Sequence, residues 1–231
     1  MTIKIPLFIT FQSLIEQRTT FLLYQEIIKV NSFYLQSIGY NQNMNNAKKI
    51  VIAFDGPDNV GKSTQIKLLR KKYKNIPFLI IDVDAPVGED FTEKLHYGKE
   101  HSKITLDTIK KIPYSQIHDR IHYTEYAYSF FRGGHTLDDI IEIEKKYEEI
   151  HKDLLIITFI DRVENISARD DGLSQFNKED HENIVKLVHR FKEISNMSIF
   201  DNHIIDIHGK DIDTVHNEVI HHVEQKFPFL K

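Results

Sequence analysis

From residue 48 onward, short apolar runs alternate with longer stretches in which apolar residues recur every three or four positions. The runs Ile50-Val-Ile-Ala-Phe54, Phe78-Leu-Ile-Ile-Asp-Val83, Tyr114 to His118, Leu154-Leu-Ile-Ile-Thr-Phe-Ile160 and His203-Ile-Ile-Asp-Ile207 read as five strands. The run at 154–160 is apolar throughout, as a strand covered on both faces must be. Periodic spacing between the runs predicts helices over 62–73, within the polar segment 90–111, over 123–131 and along Leu137, Ile140, Ile141, Tyr147 and Ile150. Two more follow, over 178–195 (Ile184, Leu187, Val188, Phe191) and along Ile212, Val215, Val219 and Val223. Such alternation implies an α/β fold, a parallel sheet with helices on both faces.

Residues 1–43 follow a different rhythm. Phe8, Phe11, Leu14, Ile15, Leu22, Leu23, Ile27, Ile28, Phe33, Tyr34 and Leu35 suggest one or two amphipathic helices, and Asn41 to Asn46 reads as a polar linker. The core domain is therefore expected to span 44–231, with 1–43 a helical extension that is either a packing helix or a segment outside the core. The extension lacks the charged start, short apolar centre and small-residue cleavage site of a signal peptide.

The first strand runs into Gly56-Pro-Asp-Asn-Val-Gly61-Lys62-Ser63-Thr64 and then into a helix. A strand, G-x-x-x-x-G-K-S and a helix form the phosphate-binding P-loop in its required context. The glycines let successive backbone N–H groups converge on phosphate oxygens, and the helix adds its positive N-terminal end. Lys62 brings a point charge to the β- and γ-phosphates, and Ser63 offers a hydroxyl to Mg²⁺. The loop fixes the nucleotide but not the phosphate acceptor.

Three further places bear on the acceptor. Asp58 puts a carboxylate into a phosphate-binding loop, which suits either a contact to a second substrate's hydroxyl or a turn beside Pro57. Asp119 and Arg120 fall where a strand gives way to a helix, hence at the ligand rim. An Arg there can hold a phosphate bidentately, and an Asp can bind Mg²⁺ through water or accept a proton. An ordinary salt bridge would also account for them. The aromatics after them, Tyr123, Tyr126 and Tyr128, suit a pocket for a planar base or the packing of a core helix. The third place is the polar stretch Arg162 to Phe176, with Gly172 near its centre. It reads as a mobile lid carrying Arg169 over the triphosphate, or as a surface loop with Arg169 paired to Asp170 or Asp171.

Together, Phe54 to Gln65, Asp119-Arg120 with its aromatic helix and Arg132-Gly133, the Arg169 segment and the final strand–loop–helix over 203–226 resemble the thymidylate kinase family of P-loop nucleotide kinases. The combination looks most like phage-encoded deoxynucleotide and deoxynucleoside kinase relatives, and the resemblance covers 48–226 in order. It implies a three-layer nucleotide-kinase fold with a five-stranded parallel sheet and a short lid. It implies ATP and Mg²⁺ as cofactors and a deoxynucleoside monophosphate as acceptor, dTMP or a related pyrimidine. Gly56, Asn59, Val60, Gly61, Lys62, Ser63 and Thr64 would bind ATP, with Ser63 and Asp119 at the metal. Asp58, Arg120, Tyr123, Tyr128 and Arg132 would bind the acceptor. Lys62, Asp119, Arg120 and Arg169 would carry catalysis. Some family members have an Arg directly after the loop Asp, and Asn59 stands there instead, which shifts positive charge towards Arg169. The segment 84–111 does not match the family's base-binding segment, so base specificity stays open.

Composition narrows the remaining classes. The net charge of −4 offers no basic field for nucleic acid, and no apolar run approaches the roughly 20 residues of a membrane span. With no cysteine there is neither disulfide nor thiolate metal site, in keeping with a cytoplasmic protein, of the host if phage-encoded. The thirteen histidines show no metal-ligand spacing. Two other functions fit the motifs: a deoxynucleoside kinase using Asp55, Asp58 or Asp119 as base, and a P-loop ATPase in which the strand at 78–83 leads into a Mg²⁺-binding Asp82 or Asp84. A homodimer is compatible with either kinase reading.

Overall fold

The computed structural model describes residues 48–82, 102–169 and 180–231, apart from the Arg132 side chain. The extension at 1–43, most of the expected base-binding segment and the outer part of the lid lie outside the described residues. Residues 49–231 form one compact unit.

The elements run β1 (Val51–Asp55), α1 (Lys62–Lys72), β2 (Leu79–Asp82), α2 (102–111), β3 (Gln116–Asp119), α3 (His122–Ala127), α4 (Ser129–Arg132) and α5 (Leu137–Lys146). A 3₁₀ turn at Glu148–Ile150 leads to β4 (Leu154–Ile160), then α6 (Val163–Ala168), α7 (His181–Met197), β5 (Asn202–Asp206) and α8 (Ile212–Lys226). The five strands form one parallel sheet in the order β2-β3-β1-β4-β5, with helices on both faces. Burial follows position in that order. Every residue of the inner strands β1 and β4 is buried, whereas the edge strands β2 and β5 are only partly covered. The unbroken apolar run of β4 is thus the signature of a strand with helices on each side.

Helix faces complete the core. Ile66 and Leu69 of α1, Leu106 and Ile109 of α2, Ile184, Leu187, Phe191 and Ile194 of α7, and Val215, Val219 and Val223 of α8 all pack into it. Helix α5 begins at a capping box, in which Thr136 accepts from the Asp139 N–H and the Asp139 carboxylate accepts from the Thr136 N–H. Asp211 caps α8 through the Thr214 N–H.

The expected helix over 123–131 is two short helices that meet at Tyr128. The cause is distant in sequence. Arg190 of α7 lies 4.0 Å over the Tyr126 ring, donates to the Tyr126 carbonyl at 2.9 Å and reaches the Ser129 hydroxyl at 2.7 Å. It satisfies a carbonyl that a continuous helix would have used internally. Glu193, one turn further along α7, accepts from the Tyr126 hydroxyl.

Parallel register brings the carboxyl ends together. Phe54 pairs with Asp119, and Asp55 pairs with Thr158. Four strands end on an aspartate, Asp55, Asp82, Asp119 and Asp206, and Asp161 directly follows the fifth. The close approach of β1 to β4 explains Gly56. Its φ is 130°, and a Cβ there would lie 2.2 Å from the Phe159 carbonyl oxygen. Gly56→Ala should therefore lower Tm by on the order of 5 °C or more through combined strain and clash. A melting curve that superposes on the parent would show that the loop does not need this approach.

Candidate phosphoryl-transfer site

The loop between β1 and α1 owes its shape to three left-handed or near-mirror positions: Gly56, Asn59 (φ 62°) and Gly61 (φ 83°). Asn is among the few non-glycine residues that tolerate this region. Gly61 caps α1, whose first turn contains no acidic residue, so nothing cancels the positive end of the helix. Val60 is buried in the core, so only its backbone faces the loop, while Ser63 and Thr64 are exposed. Lys62 folds back over the loop and donates to the carbonyls of Gly56 (3.1 Å) and Pro57 (2.6 Å). Burial pulls its ammonium down from 10.5 to about 8, and the neighbouring Arg120 charge adds to this. Asp119, Asp58 and Asp55 oppose it.

Across from the loop, the end of β3 builds the second wall. The Arg120 N–H donates to the Phe54 carbonyl at 2.9 Å, which extends the β1–β3 pairing to the corner itself. Arg120 adopts φ 78°, a conformation rare for a long side chain and held here by its surroundings. Its guanidinium forms an ion pair with Asp58 and reaches the Gly56 carbonyl (3.4 Å) and the Thr124 hydroxyl (3.3 Å). The Tyr128 hydroxyl donates to the other Asp58 oxygen at 3.1 Å. The Asp58 carboxylate therefore meets Arg120 and Tyr128 of this second wall, not only the turn around Pro57. The side chain of Tyr123 is fully buried, edge-on to His122 at 4.9 Å, which is core packing and gives a substrate no access to it. Tyr126 is also buried, under Arg190.

Asp55 ties the two walls together. Fully buried at the end of β1, its carboxylate accepts from the N–H groups of Gly56 (2.8 Å), Ile121 (3.1 Å) and Thr124 (3.2 Å) and from the Thr124 hydroxyl (2.5 Å). Burial pushes its carboxyl up, against the pull of Thr124, Arg120, the Gly56 amide and Lys62. The part played by Thr124 had no sequence signal beyond its lying four residues after Arg120.

Asp119 Oδ2 accepts from Ser63 Oγ at 3.0 Å. A hydroxyl beside a carboxylate, at the mouth of a phosphate loop, is a donor set that fits Mg²⁺, which takes one or two protein oxygens and completes its shell with phosphate oxygens and water. No group of three or more His, Asp or Glu side chains that could hold a metal occurs among the described residues.

Arg169 caps the end of α6. It pairs with the Asp161 carboxylate (2.8 Å) and donates to the Asn59 carbonyl at 3.4 Å, so it lies at the P-loop. Asp170 and Asp171, its alternative partners, and the lid as far as Phe176 lie outside the described residues, as does the Arg132 side chain.

No family model and no curated protein matches this chain. Solved structures do. The YorR protein from Bacillus subtilis, in complex with phosphorylated GDP, is 19% identical, with a TM-score of 0.53 over 77% of this chain and 97% of its own. Thymidylate kinase from Candida albicans gives 19%, 0.51, 80% and 94%, in the same order. It has the P-loop nucleotide-kinase fold. Deoxyadenosine kinase from M. mycoides with bound dATP is similar in the same sense, at 17% identity and TM-score 0.50, covering 74% of this chain and 98% of that one. Among the described residues no helix of this kinase fold is long and apolar enough to cross a membrane.

The lowered Lys62 gives the site a proton signature. Above pH 8 the free loop holds a mostly neutral amine, and an incoming polyphosphate favours the ammonium, so binding draws a proton from solvent. At pH 8.5, calorimetry of a magnesium–nucleoside triphosphate in buffers of differing ionisation enthalpy should give net uptake of up to about one proton. Lys62→Met should abolish it, and an uptake unchanged in that variant would remove Lys62 from the loop's chemistry.

Proposed function

We propose that the protein is a nucleotide kinase that transfers the γ-phosphoryl group of ATP to a deoxynucleoside monophosphate, dTMP or a related pyrimidine. One observation carries this reading: a guanidinium, Arg120, stands at the P-loop on an exchangeable Asp58 partner, while Asp55 and Asp119 are held by other groups. Asp55 sits in four hydrogen bonds, Asp58 pairs with Arg120 and Tyr128, and Asp119 accepts from Ser63. A monophosphate oxygen is already anionic near neutral pH and needs no base, whereas a hydroxyl does.

In this reading an acceptor phosphate oxygen attacks the γ-phosphorus as the bond to the β-bridging oxygen breaks, leaving a nucleoside diphosphate and ADP. Phosphoryl transfer has a loose transition state, so positioning and charge stabilisation account for most of the rate. Lys62 turns from the loop carbonyls to the β- and γ-phosphates. Arg120 exchanges its Asp58 partner for the acceptor phosphate, and Asp58 becomes available to the acceptor's hydroxyl. Arg169, already at the loop, neutralises charge on the transferring group. Bound through Ser63 and Asp119, Mg²⁺ would screen the phosphates and align them.

A coupled ATP assay against nucleosides and nucleoside monophosphates tests the proposal. Pyrimidine deoxynucleoside monophosphates should exceed the matching nucleosides in kcat/KM by at least about tenfold, the effect of one charge-assisted contact. The reverse order would make the protein a nucleoside kinase, and rapid hydrolysis without acceptor would make it an ATPase. Arg169→Ala should lower kcat by roughly 10³. Turnover within a few-fold of the parent would take Arg169 out of the transition state. Arg120→Ala should raise KM for the acceptor and leave KM for ATP within a few-fold. An equal rise in both would place Arg120 on the nucleotide side instead.

A further inference from the structure

A second buried carboxylate stands at the end of β4, the strand beside β1. Asp161 follows β4 directly, and its side chain is inaccessible to solvent. One oxygen is fixed from two directions, by the Arg162 N–H at 2.7 Å and the Asn165 amide at 2.8 Å. The same Asn165 amide approaches His208 Nδ1 at 3.0 Å in the loop after β5, and His208 Nδ1 stands 3.7 Å from that oxygen. The other oxygen lies 2.8 Å from Arg169 Nη1, an ion pair and not a hydrogen bond. Arg169 itself is nearly half exposed, and its second contact is the long one to the Asn59 carbonyl. A flexible, solvated guanidinium is therefore held at the phosphate loop by one rigid anion.

We infer that Asp161 is the positioning residue for Arg169, setting the guanidinium at the P-loop before substrate arrives. A buried carboxylate held through its first oxygen puts a fixed charge beside the guanidinium, so the arginine spends little of its rotamer freedom searching. A Glu or Asn at 161 would keep polarity but lose this placement or this charge. Asn165 supports the arrangement by holding the carboxylate's orientation from α6 and linking it to the loop after β5. The inference rests on the kinase reading for its effect on rate, but the geometry of Arg169 can be read without turnover.

The test is a double-mutant cycle with a spectroscopic arm. Asp161→Asn should lower kcat by about 10- to 100-fold, as expected for a misplaced catalytic group, with KM for ATP within threefold. Combined with Arg169→Ala it should cost no more than Arg169→Ala alone, because both changes remove one function. Should Asp161→Asn fail to fold, Asn165→Ala leaves the carboxylate in place but free to turn, and should lower kcat by a smaller factor that also vanishes in the Arg169→Ala background. By low-temperature NMR, the Arg169 Nη–H signals, assigned by their loss in Arg169→Ala, should be resolved in the parent and averaged by rotation of the guanidinium in Asp161→Asn. Full kcat in a folded Asp161→Asn or Asn165→Ala variant, losses that multiply with that of Arg169→Ala, or unaltered Nη–H signals would each overturn the inference. A parent enzyme inactive towards every acceptor would instead refute the proposed function, and the NMR arm would still decide the role of Asp161.

Discussion

The site depends on one buried carboxylate. Asp55 ends the central strand, lies wholly inside the protein and accepts from amides on two separate segments, Gly56 at the start of the P-loop and Ile121 and Thr124 at the start of α3. Without it, the buried Gly56 and Ile121 N–H groups would lose this acceptor and Thr124 one of its two, a cost of about 1–3 kcal/mol for each group left unsatisfied. Because the same side chain serves both segments, the P-loop and the start of α3 cannot shift independently. Arg120 inherits its awkward backbone from this junction, with its N–H on Phe54 and its guanidinium over Gly56.

Around that junction charge is arranged in near balance. Lys62, Arg120 and Arg169 stand against Asp55, Asp58, Asp119 and Asp161 within a few residues of the loop. Each cation has a partner before substrate arrives: Lys62 the loop carbonyls, Arg120 Asp58, and Arg169 Asp161. The two ion pairs offset like charges that would otherwise repel at the mouth of the sheet. The difference between the pairs is mobility. Arg120 and Asp58 are both partly covered, whereas Arg169 is exposed and only Asp161 is buried.

Much of this could be read in the chain. The five strands stood out because inner strands of a parallel sheet have no solvent face and so no polar alternation. The P-loop stood out because its glycines, lysine and serine answer to backbone geometry and phosphate chemistry at fixed spacing. Asp119 and Arg120 were legible from their place at the end of a strand. What the chain concealed came from partners far apart in sequence. The break at Tyr128 is made by Arg190 of α7. Tyr123 and Tyr128 look alike in sequence and both are buried, yet the turn of a short helix brings only the Tyr128 hydroxyl to Asp58. Asp161 carried the same strand-end signal as Asp119, but its meaning lay in Asn165 and Arg169. Residues 1–43, 84–101 and 170–179 fall outside the described residues, so expectations placed there stand as made.

The aspartates at the five strand ends gather acidic groups along one edge of the sheet. Neighbouring strands are about 4.8 Å apart, so the carboxyl rim is a closely ruled line of acidic positions. Along that rim the repulsion of an anion is weakest where the loop amides and the cations Lys62, Arg120 and Arg169 offset the carboxylates, so the chain's own acids narrow the place where an anion can settle to the mouth of the P-loop.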